Sequence, residues 1–131
     1  MKKYLYFSII LFFSIFTACQ ENESAHIQKI SVEQLLEAIN SDDVQLIDVR
    51  TEGEFNDGSI QRAQNICVTT NGFKEKVKNL DKEKPVYLYC KSGKRSANAA
   101  EILKEMGFKE IYDMTGGYDE WSEKQLKNKK S

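Results

Sequence analysis

Short apolar runs and one-sided apolar stripes follow one another in regular alternation along this chain. His26 to Ile30 reads as a first strand. Ser31-Val32-Glu33-Gln34 has the capping-box pattern, and Val32, Leu35, Leu36 and Ile39 then set apolar side chains on one face of a helix ending near Asn40. Val44 to Val49 is a mostly apolar strand, closed by the polar run Thr51-Glu52-Gly53-Glu54. A further strand is expected over Gln64 to Val68, and Phe73, Val77 and Leu80 recur at helical spacing. Asp81 to Pro85 is a charged turn whose proline stands just before the apolar strand Val86-Tyr87-Leu88-Tyr89. Ala99, Ile102, Leu103 and Met106 form the stripe of a helix from Ala97 to Met106, and Gly107 is placed to stop it. Glu110 to Asp113 reads as a last strand and Tyr118 to Gln125 as a terminal helix. Strands alternating with helices predict an α/β fold, a parallel sheet with helices on both faces and sites at the carboxyl ends of its strands.

The chain has 131 residues, 40% hydrophobic and 30% charged, enough for one domain, and shows no internal repeat. Its first residues read differently. Lys2 and Lys3 precede an apolar run from Tyr4 to Phe16, too short to span a bilayer and shaped like a secretory signal peptide. The run ends in Thr17-Ala18-Cys19, which resembles a bacterial lipoprotein signal. Residues 1–18 are therefore expected to be removed, Cys19 to carry lipid, and the mature protein to sit in the cell envelope on the periplasmic or extracellular side. Residues 19–26 form a lipidated end and short polar linker. The six residues Gln20 to Ala25 reach only about 20 Å, which keeps the domain near the membrane surface. Residues 27–126 form the domain and 127–131 a basic tail containing Lys127, Lys129 and Lys130, read as a solvated end.

Removal of Lys2 and Lys3 leaves 17 of the 19 basic residues against 20 acidic ones, a formal charge of −3 with no nucleic-acid footprint. No metal site or other cofactor is indicated: there is no Cys-x-x-Cys spacing, and the single histidine, His26, stands alone near the start. With Cys19 lipidated, Cys67 and Cys90 remain. Cys67, beside Ile66 and Val68, reads as a small apolar residue at a strand end, although in an oxidising envelope a disulfide to Cys90 is the competing reading.

Cys90 stands in Cys90-Lys91-Ser92-Gly93-Lys94-Arg95-Ser96, between an apolar strand and a helix. Amides at the helix start, the helix dipole and the cations Lys91, Lys94 and Arg95 all favour a thiolate there, and the thiolate is the nucleophilic form. The segment resembles the active-site loop of single-domain rhodanese-type sulfurtransferases, with the pattern Cys-x-x-Gly-x-Arg-Ser. Leu46-Ile47-Asp48-Val49-Arg50, Glu54-Phe55, Gly58-Ser59-Ile60, Ala63 and Asn65-Ile66 resemble the family's Asp-x-Arg strand and following turn, and Gly116-Gly117-Tyr118 with Trp121 its closing turn. The resemblance spans about Ile27 to Leu126. Ser59 stands where the family usually has His, and Gln61-Arg62 where it usually has Pro-Gly.

The resemblance implies a rhodanese-like fold and transfer of sulfane sulfur through a Cys90 persulfide, from thiosulfate or a persulfide to a thiol or cyanide. Lys91, Ser92, Gly93, Lys94 and Arg95 would hold the anionic donor, with Ser92 donating to sulfur. Asp48 and Arg50 would form an ion pair supporting the loop. Tyr87, Tyr89 and Trp121 read as core. Two other activities compete. Phosphatases and arsenate reductases also use a Cys-to-Arg loop, but with one more residue than the four here, which makes room for a tetrahedral oxyanion. A rhodanese-fold module that binds or carries without turnover is the other, against which stand the retained Cys90 and its basic loop.

Overall fold

The apolar runs form one five-stranded, all-parallel sheet in the order β1-β5-β4-β2-β3. The computed structural model describes residues 25–41 and 43–130. The elements are β1 (His26–Ile30), α1 (Val32–Ser41), β2 (Gln45–Asp48), α2 (Glu52–Asp57), β3 (Gln64–Asn65), α3 (Phe73–Val77), β4 (Val86–Tyr89), α4 (Lys94–Glu105), β5 (Glu110–Met114) and α5 (Gly117–Lys130). Cys19, the apolar segment before it and the linker up to residue 24 lie outside the described residues.

Strand residues alternate between two layers, as a pleated strand requires. Ile47, Val86, Leu88 and Ile111 face α3 and α4, packing with Phe73, Val77, Ala99, Ala100 and Leu103. Leu46, Tyr89 and Met114 face the other way, against Val32, Leu35 and Ile39 of α1 and Trp121 of α5. Helices thus cover both faces, as the pattern predicts. The α1 capping box forms reciprocally: Gln34 N–H donates to Ser31 Oγ (3.2 Å) and Ser31 N–H to Gln34 Oε1 (2.9 Å).

Four local expectations are corrected. Thr51 to Glu54 does more than close β2: Thr51 is the N-cap of α2 in a capping box with Glu54, a helix that buries no side chain and so has no apolar stripe. The strand expected over Gln64 to Val68 keeps ladder pairing only at Gln64–Asn65, although Ile66 N–H donates to Asp48 O (3.0 Å) and Val68 N–H to Val49 O (3.1 Å) beyond it. The helix after the cysteine begins at Lys94, which puts Lys94, Arg95 and Ser96 on its first turn. The last helix continues past Gln125 to Lys130, so Lys127 prolongs α5.

Candidate active site

Cys90 follows β4 directly, where the central strands end. Its side chain packs in the layer under α4 and is 1% exposed. Gly93, the residue before α4, has φ +103° and turns its N–H onto the sulfur at 3.0 Å. Burial pushes the Cys90 thiol up, but the Ser96 hydroxyl and the N–H groups of Ser96, Gly93 and Ser92 outweigh it and hold the thiol below its ordinary value. The sequence places Cys90 beside a ring of backbone N–H groups; the Gly93 N–H is on the sulfur, and the burial of the side chain is not legible from the loop pattern. Ser96, fully buried, is the serine whose hydroxyl contributes to the lowered value, and that hydroxyl donates to Gly93 O (3.2 Å); Ser92 is exposed and contributes its backbone N–H.

The turn after β5 clamps this loop. Tyr118 N–H donates to Cys90 O (2.8 Å) and Asp119 N–H to Lys91 O (3.1 Å). Gly117 has φ +64°, and a Cβ there would stand 2.3 Å from Lys91 O. From the other side, a Cβ on Gly93 would stand 2.4 Å from Thr115 O. Glycine is required at both positions by backbone conformation and by close approach.

Asp48 and Arg50 form the expected buried ion pair, 2.6 Å between Arg50 Nη2 and Asp48 Oδ2. Arg50 also donates to Gly58 O (2.6 Å) and lies over the Tyr118 ring, 4.1 Å from its centroid. The pair thereby ties the end of β2 to the turn after α2 and to the start of α5. Tyr89 is buried in the core and accepts from Ile60 N–H (3.1 Å), Tyr87 stacks on Tyr112 (4.7 Å), and Trp121 packs against Tyr118 (5.3 Å).

Arg95 is placed differently from the sequence expectation. Both its terminal nitrogens bond Glu54, at 2.7 and 2.8 Å, so its fork is engaged by the carboxylate that completes the α2 capping box with Thr51. This pairing holds the Glu54 carboxyl well below the usual range, the Arg95 bond being the largest cause. The Arg95 guanidinium is held above its ordinary value first by Glu54 and, to a lesser degree, by the neighbouring Cys90 sulfur. Lys91 and Lys94 are exposed. Lys91 borders an open cavity of about 200 Å³ whose wall includes Arg50, Glu54, Asp57, Gly58, Tyr118 and Asp119. An anion entering there meets carboxylates as well as cations.

Cys67 is not in the core. It is half-buried on the wall of a cavity of about 490 Å³ shared with Asn65, Thr69, Thr70 and Lys76, with Sγ 3.1 Å from Thr69 Oγ1. Cys67 and Cys90 are both free thiols. Among the described residues, no group of three or more His, Cys, Asp or Glu is placed to hold a metal ion.

The model of the rhodanese-like domain matches residues 31–124. The chain belongs to the rhodanese-like family. Its rhodanese-like domain is 33% identical over 94 residues to the thiosulfate sulfurtransferase GlpE of Shewanella oneidensis, covering 72% of this chain and 91% of that protein. It is 43% identical over 86 residues to the uncharacterized protein YqhL of Bacillus subtilis, covering 66% of each chain. Among solved structures, SSP1007 of Staphylococcus saprophyticus superposes with a TM-score of 0.64 at 30% identity, covering 72% of this chain and 92% of that one. Where this rhodanese-like chain has Gln61-Arg62 in place of Pro-Gly, Arg62 adopts φ +70°, a left-handed conformation that glycine takes without strain. Its side chain donates to Ile39 O and pairs with Asp43 at 3.3 Å, contacts glycine cannot make.

Proposed function

We propose that this rhodanese-like protein is a sulfurtransferase that carries sulfane sulfur on Cys90. The observation that carries the reading is the Gly93 N–H at 3.0 Å from a buried sulfur whose surroundings favour the thiolate. The Cys90 thiolate attacks the outer sulfur of thiosulfate. A new S–S bond forms to Cys90, the old one breaks, and its electron pair leaves with sulfite. A thiophilic acceptor, cyanide in an assay or a thiol, then takes the outer sulfur and returns the thiolate, in two covalent half-reactions. The same amide ring that stabilises the thiolate solvates the terminal charge of the persulfide, so neither half-reaction needs an external base. The 33% identity to a thiosulfate sulfurtransferase supports this donor class.

The anionic donor is drawn to the loop by the exposed cations Lys91 and Lys94. Arg95 acts mainly through Glu54, fixing the first turn of α4 against α2. We further propose that the protein is tethered to an envelope membrane through lipid on Cys19. The reading rests on the basic start, apolar run and Thr17-Ala18-Cys19 ending.

The activity is tested by thiocyanate formation from thiosulfate and cyanide. Parallel double-reciprocal lines, the signature of a covalent carrier, are expected. Hydrolysis of an aryl phosphate faster than thiocyanate formation, or the absence of thiocyanate, overturns the reading.

A further inference from the structure

Of the three cations in the Cys90 loop, Arg95 is already bound to an anion. Its Nη1 donates to Glu54 Oε2 (2.7 Å) and its Nη2 to Glu54 Oε1 (2.8 Å), so both prongs of the guanidinium meet both oxygens of one carboxylate. That is the fork with which an arginine otherwise grips a tetrahedral oxyanion. Lys91 and Lys94, by contrast, stand exposed.

Glu54 is itself fixed in place. As the third residue of α2 it completes the capping box: its Oε2 also accepts from Thr51 N–H (3.0 Å) and Thr51 Oγ1 (2.9 Å), and its own N–H donates to Thr51 Oγ1 (3.3 Å). The Arg95 bond holds its acid well below the usual range, so the carboxylate stays charged at neutral pH. The pair is not sealed. About a third of each side chain faces solvent, 28% for Arg95 and 30% for Glu54, so a dissolved anion can approach the fork.

An oxyanion approaching Arg95 meets a carboxylate in the place its own oxygens would take, and like charges disfavour the exchange. Thiosulfate avoids that conflict. In the reaction proposed above only its outer sulfur reaches Cys90, while its sulfonate stays with Lys91 and Lys94. A phosphate or arsenate has no such single atom to offer and depends on the arginine fork.

We propose that Glu54 is a specificity-determining residue: by occupying the Arg95 fork it keeps tetrahedral oxyanions out of the Cys90 loop and leaves the loop to donors that present one sulfur. The proposal rests on Cys90 being the nucleophile of a sulfurtransferase, but its test reads anion binding and not turnover.

The test is protection of Cys90 from iodoacetamide by inorganic sulfate, with ionic strength held constant by chloride. Alkylation is followed on the Cys90 peptide by mass spectrometry in the detergent-solubilised full chain. Glu54→Gln removes the charge, and glutamine still completes the capping box. The half-protecting sulfate concentration should fall about tenfold, the weight of one charge-assisted bond to the freed guanidinium. Glu54→Asp keeps the charge but is one methylene shorter, so it loosens the two-pronged contact; a fall of about threefold is expected, a readout that stands if Glu54→Gln does not fold. With Arg95→Gln added to Glu54→Gln, protection should return to within about twofold of the parent. No fall in Glu54→Gln, or in Glu54→Asp should the first variant not fold, overturns the proposal. So does a gain that persists without Arg95, since loss of one negative charge would then account for it. The expected gain in a protein that forms no thiocyanate would sink only the proposed activity.

Discussion

Gly117→Ala probes how the Cys90 loop is held. The added Cβ would lie 2.3 Å from Lys91 O, 2.5 Å from Lys91 C and 2.8 Å from Ser92 N, all backbone atoms, so no side chain can swing aside to admit it. Alanine at φ +64° costs about 1 kcal/mol in conformation alone. Moving the loop away stretches the two hydrogen bonds that hold it to this turn, Tyr118 N–H to Cys90 O and Asp119 N–H to Lys91 O, each worth about 1 kcal/mol. The loop cannot retreat freely, because Gly93 already lies against Thr115 O on the other side. The total is about 3 kcal/mol, which for a domain of this size lowers Tm by roughly 10–20 °C. The displaced loop also loses its aim on the sulfur, so the midpoint of Cys90 alkylation should rise. Thermal melts followed by circular dichroism and the alkylation profile read the two effects separately. A Tm within about 5 °C of the parent, together with an unchanged alkylation midpoint, would refute the clamp.

The parent protein should alkylate at Cys90 with a midpoint below the ordinary thiol value of about 8.5, its rate falling as pH drops through that midpoint; a midpoint at or above 8.5 contradicts the amide cradle. Because the folded-state value is the depressed one, the thiolate's contribution to stability is fully present above the unfolded value and lost as pH falls through the folded one, which urea titrations at several pH values can check. Asp48→Asn strands the buried Arg50 charge and should cost about 3–5 kcal/mol in urea unfolding, whereas a loss under about 1 kcal/mol would mean the pair is not structural. Lys91→Gln with Lys94→Gln should raise KM for thiosulfate by roughly fivefold or less, an effect that shrinks with salt, and leave single turnover with a neutral persulfide donor nearly intact; equal losses with both donors contradict the assignment. Cys19→Ser should move the protein from the membrane to the soluble fraction, and unchanged fractionation rejects the tether.

Where a helix or strand buries one face, the sequence pattern announces it, as Val32, Leu35 and Ile39 do for α1 and Ala99 and Leu103 for α4. α2 has no fully buried side chain and so no apolar stripe, and its capping box alone, a polar Thr-x-x-Glu run after a strand, looks the same as a closing loop. Tyr118 and Trp121 mark the first turns of α5, but its later turns lack a strong apolar stripe, and its length is not legible from periodicity. The cysteine loop is readable because its chemistry is local: strand, turn and helix start lie within seven residues. The partner of Arg95 is not, since Glu54 lies 41 residues away and meets it only when α2 folds against α4. Asp113 is hidden for another reason. A polar residue in an alternating strand reads as solvent-facing, and here the same alternation turns it inward beneath α4.

The central claim, that one thiolate carries the sulfur, is tested most directly by incubating the protein with thiosulfate, removing excess donor and locating the added sulfur by peptide mass spectrometry. One sulfur atom is expected on the Cys90 peptide, released by cyanide, retained in Cys67→Ser and absent from Cys90→Ser. Sulfur found on the Cys67 peptide, or loading that survives Cys90→Ser, would contradict it.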